Sequence, residues 1–465
     1  MISRKTIRVL CLTTAVSAAL ALGSVASYAE EGSKVLSLRD ALATGLALNP
    51  EYGAVAASRR ATDEELNQGK ALFLPSVDAN ADAGYERTDN STTRATTTDG
   101  ETNLWRNEAG VTLTQMLFDG WDSHYEVQRQ QARVESSAYR VKETSELVGL
   151  SIVEAYLDVL RQRQLLEISR KNVSDHISIL EQIKQGVDAG RSTQADLEQA
   201  KARLAAARST ESSTRQSLRN AEAEYRKQTG DAPDQLGLPL VPYESLAADV
   251  EEEVRQTLDK SPTLEVRASD IEVAYAEAQK TKSSYYPQVD LQLNARSGND
   301  LSGVKGHNSA ASALVIMNWN LYRGGADVAR AREFNHRHQE AKSEYSKSAR
   351  AVENDVRQTW ASMVSAGERA SQFTTQAEAN SEVVKAYRDQ FSLDRRTLLD
   401  VLDAQNELFV SRSSTVNSEF LEMFAVYRLL ALKGALLPTI GVEYPRESAM
   451  ASGEQWSYKE RQKAR

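Results

Sequence analysis

Asp400 and Asp403 are the residues of this sequence best placed to do chemistry. They stand three apart in the run Arg395-Arg396-Thr397-Leu398-Leu399-Asp400-Val401-Leu402-Asp403-Ala404. On a helix that spacing brings both carboxylates to one face. Such a pair could act as general acid and base. Solvated helix carboxylates are far commoner, and Arg396 with Asp400 is also an ordinary i,i+4 pair worth a few tenths of a kcal/mol. His336 and His338 are two apart, so a helix points them to different faces and they make a poor metal pair. His124, His176 and His307 are isolated in sequence. There is no Walker-type loop and no Gly-x-Ser-x-Gly turn. The reading is a protein that is not an enzyme and uses no cofactor and no metal.

A second set of polar residues is periodic. In Val77-Asp78-Ala79-Asn80-Ala81-Asp82-Ala83-Gly84-Tyr85, apolar and polar residues alternate. A strand puts successive side chains on opposite faces, so Asp78, Asn80 and Asp82 share one. Asp290, Gln292 and Asn294 repeat the pattern against Val289, Leu291, Leu293 and Ala295. These six residues suit the wall of a water-filled path.

The elements that carry them are strands at about 75–87 and 287–297, with partners at about 105–118 and 311–322. A Thr-, Ser- and Asn-rich stretch, Glu86 to Asn103, is expected as a long surface loop between the first two. Trp105, Trp319, Tyr85 and Tyr322 lie near strand ends, as an aromatic girdle requires. Two hairpins fit a soluble sandwich edge. If they span a membrane, several chains must share one barrel, since the smallest known use about eight strands.

Long helices should follow the strands. From Trp121 to Gln185 there is no proline and one glycine; from Ala326 to Lys433 the same holds. Residues 120–188 and 325–392 as single helices would each run about 100 Å. Ile152, Val159, Leu166, Val173, Leu180 and Val187 recur every seventh residue. So do Val356, Met363, Ala370, Ala377, Val384 and Phe391, a coiled-coil stripe. The companion positions, among them Gln162, Ser169 and His176, are small or polar. That mix suits helices packed around something wet; a solid coiled coil with polar interruptions is the plainer alternative. Return helices are expected at about 193–229 and 397–433.

The chain is written twice. Asn49-Pro50 matches Ser261-Pro262, and Pro75-Ser76-Val77-Asp78 matches Pro287-Gln288-Val289-Asp290. Beyond the loop, Phe118-Asp119-Gly120 matches Tyr322-Arg323-Gly324, and Asp196 matches Asp400. The expected organisation is a first repeat over 30–230, a linker over 231–243, a second repeat over 244–437 and a disordered tail over 438–465.

Residues 1–29 read as a cleaved secretory signal: Arg4, Lys5 and Arg8, then a mostly apolar run, then Ser27-Tyr28-Ala29. The one cysteine, Cys11, goes with it. With 56 Lys+Arg against 65 Asp+Glu the net charge is −9, which argues against a nucleic-acid partner. Only 23 Gly and 9 Pro disfavour a turn-rich α/β enzyme.

The Arg395–Ala404 run, the paired Pro-x-Val-Asp strand starts and the paired strand exits in register resemble the TolC family of outer-membrane efflux and type I secretion ducts. The resemblance spans about residues 36–437. It implies a mainly α chain with a membrane β-barrel part: four strands per chain in a trimeric twelve-stranded barrel, continued by a long α-helical tunnel. It implies a homotrimer in the outer membrane and its lipid, extending into the periplasm. An inner-membrane pump of RND or ABC type and a periplasmic adaptor would dock at the tip. Asp400 and Asp403 match the acidic pair of the periplasmic gate, whose crowded carboxylates would raise some pKa values and attract cations. Arg396 and Asp196 match latch residues, and Phe391 stands where better-known members carry a tyrosine. The competing expectation is a soluble periplasmic coiled-coil adaptor, which would not need alternating hairpins or a symmetric second half.

Overall fold

The computed structural model describes residues 35–393 and 395–449. The expected signal segment and the last part of the tail lie outside the described residues. The first half runs α1 (Leu38–Leu48), α2 (Pro50–Ala71), β1 (Ser76–Asp89), α3 (Ser91–Thr96), β2 (Glu101–Phe118), α4 (Asp122–Asp188) and α5 (Gln194–Thr229). The second runs α6 (Val250–Lys260), α7 (Pro262–Lys280), β3 (Gln288–Asn299), β4 (His307–Asn318), α8 (Ala326–Ser392) and α9 (Leu398–Lys433), then α10 (Leu436–Ile440). The long helices α4 and α8 have 67 residues each, and α5 and α9 have 36 each, so one helical hairpin is built twice.

The repeated motifs have local physical causes. Pro50 opens α2 behind Asn49, whose Oδ1 accepts the Glu51 amide at 2.9 Å; Pro262 likewise opens α7, behind Ser261, whose side chain makes no capping bond. At the strand exits the chain must swing from sheet into helix. Gly120 and Trp121 do so with φ of 70° and 74°, and Gly324 and Gly325 with 62° and 86°. Two consecutive left-handed residues explain the glycines seen there. At the far end Gly190 turns at φ 71°, and α5 and α9 each start with a capping box, Thr193 with Asp196 and Thr397 with Asp400.

The heptad stripes are the seams. Ile152, Val159, Leu166 and Val173 are buried on α4, and Val356, Ala370 and Val384 on α8. Ser169 and His176 at the companion positions of α4 are buried too, while Gln162 is half-buried. The main apolar cluster sits at mid-height, where Leu42, Ile152, Tyr156, Tyr225, Tyr427 and Leu437 meet. A second closes the tip around Ile179, Ile183, Leu398 and Leu402. By contrast, α8 has no buried residue before Val352 among those described.

Three expectations are corrected. The strands reach Asp89 and resume at Glu101, so the loop is shorter than Glu86–Asn103, and it holds α3. Asn90 nucleates that helix by accepting the Thr92 and Thr93 amides at 2.9 Å. Strand β4 is displaced toward its N-terminus, ending at Asn318. The segment 438–449, expected as disordered tail, folds back on the body: the Tyr444 hydroxyl donates to Glu146 and to the Gly434 carbonyl (2.7 Å), and Tyr52 and Arg60 hold Glu447. The linker is also tied down, with the Tyr156 hydroxyl donating to the carbonyls of Leu36 (2.9 Å) and Gly237 (2.5 Å).

Candidate functional site

The four strands form one antiparallel sheet in the order β1-β2-β3-β4. Register decides which side chains share a face. Asp78 pairs Thr112, which pairs Asn294, which pairs Ser312; Ser76 leads through Thr114 to Gln292; Asn80 leads through Gly110 to Arg296. Asp78, Asn80, Asp82, Asp290, Gln292 and Asn294 therefore lie on one face. The other face carries Val77-Leu113-Leu293-Ala313 and Ala79-Val111-Ala295-Ala311. That apolar face is bare: Val77 is 64% exposed, Val315 66% and Met317 63%. A soluble sheet buries its apolar face. Tyr85 pairs Trp105 at one end, both exposed, and Trp121, Trp319 and Tyr322 are exposed at the other. With 18 residues, β2 exceeds the 9–11 that a tilted spanning strand needs. Both edges, β1 and β4, lack a strand partner within the described chain.

On the polar face Arg106 gathers carboxylates. Its Nη2 lies 2.9 Å from Asp82 and 2.7 Å from Glu108, and its Nη1 lies 3.3 Å from Glu86. Arg296 joins through Glu108 at 3.6 Å.

At the tip, each aspartate has a partner in its own chain. Asp400 Oδ2 accepts the Thr397 hydroxyl at 2.7 Å, and Arg396 stands 3.7 Å away. The Thr397 hydroxyl, then its amide and Arg396, hold the Asp400 pKa below the ordinary carboxylate value. Within the chain the expected upward shift is thus opposed, because a capping box favours the charged form. Asp403 pairs with Arg203 of α5 at 3.1 Å. Arg396 lies over the Tyr387 ring at 4.1 Å, and its Nε donates to Gln390 at 3.2 Å. Asp196 accepts the Thr193 hydroxyl at 2.7 Å. Among the described residues Arg396 and Asp196 do not pair within the chain, because each is engaged on its own hairpin. Phe391 packs against the apolar tip cluster.

The sequence profile of the outer membrane efflux protein family matches residues 42–231 and again 254–432, well over half of the chain. The chain belongs to the outer membrane efflux protein family. It is 23% identical over 425 residues to the outer membrane efflux protein BepC of Brucella suis biovar 1 (strain 1330), covering 90% of this chain and 91% of that protein. It is 22% identical over 446 residues to the proteases secretion protein PrtF of Dickeya chrysanthemi, covering 90% and 92%. The fold matches the solved outer membrane protein VceC from Vibrio cholerae with a TM-score of 0.73 at 16% identity, covering 88% of this chain and 97% of that one. As a member of this outer membrane efflux protein family, the chain is an outer-membrane channel protein and not a periplasmic adaptor.

Within this efflux-family fold, sequence reasoning missed the polar ties between the hairpins. Gln405 of α9 donates to Asp175 of α4 at 3.0 Å, and Arg388 of α8 donates to Gln405 at 3.1 Å. Arg203 was also missed. One signal existed: its repeat mate is Glu407, so the two halves carry opposite charge at one position. His176 is buried beside this network, and burial pushes its pKa down.

Proposed function

We propose that three copies close one twelve-stranded barrel through the outer membrane and continue it as a helical tunnel across the periplasm. One observation carries this reading: a sheet with two open edges, a bare apolar face and a polar opposite face. Unpaired backbone edges cost several kcal/mol per group in lipid, so the sheet must be closed by further strands. Four strands are too few for one chain to close alone. The polar face then lines a water-filled lumen, and the apolar face meets lipid.

The duct is passive and gated at its periplasmic tip. Asp400 and Asp403 of three chains ring the constriction, and Arg396, Asp196 and Phe391 form its latch, with Arg396 and Asp196 meeting between copies. A ring of carboxylates attracts cations. An inner-membrane pump and a periplasmic adaptor dock at the tip and supply the energy. Cargo is small toxic compounds or secreted proteins; the name of BepC supports efflux, and that of PrtF supports secretion of proteases.

The test is a planar bilayer. The wild-type protein should give a small, cation-preferring conductance blocked by divalent ions. The Asp400→Ala/Asp403→Ala variant should lose much of both properties. Absence of channels would refute the duct; identical behaviour of the two proteins would refute the gate.

A further inference from the structure

The turn joining β3 and β4 does not continue outward along its strands. Asp300, Ser302, Gly303 and Gly306 all take positive φ, 58°, 52°, 81° and 108°. The loop is closed on itself: the Asp300 amide donates to the Gly306 carbonyl at 2.9 Å, and the Gly306 amide to Asp300 Oδ1 at 2.8 Å. Its tip then folds over the polar face. Leu301 Cδ1 stands 3.1 Å from where a Cβ on Gly298 would be, and Gly298 shares its face with Glu108 and Asp82. A Cβ on Gly303 would lie 3.1 Å from Thr88 Cβ and 2.6 Å from Thr93 Cγ2. Thr88 shares the polar face, since it pairs with Thr102 in step with Glu86 and Leu104. The turn thus reaches back from β3 over β2 to β1, two strand spacings or roughly 10 Å. The other loop clasps it: Asn90 Nδ2 donates to the Ser302 carbonyl at 3.0 Å, and Thr93 beneath is fully buried.

We propose that this turn, Asp300–Gly306, is a built constriction at the outer mouth of the duct, which sets the size of what passes between lumen and exterior. In a closed barrel a turn lying on the polar face stands inside the cylinder, not on its rim, and each copy contributes one. The inference rests on the polar face being the water path. It concerns the end of the molecule opposite the tip, where Asp400 and Asp403 lie.

The closing experiment uses Asn80→Cys, on the polar face and exposed, in a chain whose one native cysteine lies in the expected signal segment. Intact cells are treated with membrane-impermeant maleimides of increasing size. With the native turn, the smallest should label and larger ones should be excluded. Deleting Leu301 to Lys305 leaves Asn299-Asp300-Gly306-His307, an Asp-Gly two-residue hairpin that suits paired strands. That deletion should move the size cut-off upward. Ser302→Trp, which keeps the loop length, should move it downward, and it reads the same property if the deletion fails to assemble. Large and small reagents labelling the native protein equally, or a cut-off unmoved by either variant, would overturn the constriction and leave the duct standing. Failure of even the smallest reagent to label Asn80→Cys would overturn the water path, and the constriction with it.

Discussion

Glu146 shows how one buried carboxylate can set the behaviour of a whole segment. It is 1% exposed on α4 and accepts the Tyr444 hydroxyl and, at 3.0 Å, the Leu436 amide. Burial lifts its pKa to about 7, against hydrogen bonds from Tyr444, Leu436 and Leu437 that pull it down. Between the ordinary value of 4.5 and 7 the folded state binds the extra proton, so stability falls as pH rises through that window. The loss approaches about 3 kcal/mol. Protease cleavage within 436–449 should therefore quicken from pH 6 to pH 8, and Glu146→Gln should flatten that slope; equal slopes would show that another group titrates. At the tip, Arg203 offsets Asp403. Arg203→Gln should raise cation preference in bilayers, and unchanged selectivity would place Asp403 away from the ion path.

Elements are set by a few backbone positions. The strand-to-helix exits need left-handed residues, so Gly324→Ala and Gly325→Ala should each cost roughly 1 kcal/mol. Gly120→Ala should cost more, because its Cβ would meet the Ser283 carbonyl at 2.7 Å and Tyr286 Cβ at 2.8 Å. Trp121→Gly should be neutral or stabilising, since Trp121 already holds φ 74°. Thermal dissociation of the assembled protein orders these variants. The strand exits and the Asn49-Pro50 and Ser261-Pro262 pairs were legible as motifs repeated in the two halves, while their left-handed turns, the helix starts and the capping threonines came from the structure. Helix α3 was not legible, since a Thr-rich stretch reads as loop unless Asn90 is recognised as its cap.

At the scale of the molecule the two sheet faces make opposite demands. Leu293→Arg puts a charge on the bare apolar face and should cost about 2–4 kcal/mol near the bilayer midplane. Asn294→Arg, one residue along, faces the polar side and should be tolerated. The yield of folded protein in outer membranes distinguishes them; equal loss for both would contradict the assignment of faces.

Matched motifs in the two halves were enough to determine the duplicated plan, and alternation and seven-residue periodicity the polar and apolar sides of the strands and the seams of the long helices. A period of two or seven residues fixes a direction without knowledge of the partner. Only the tertiary structure decided that Asp403 meets Arg203, 200 residues away, that Glu146 meets Tyr444, 298 away, and that the β3–β4 turn folds over the polar face of the sheet. Those contacts depend on how helices rotate against one another and on how a short loop bends, and a periodic pattern leaves both free.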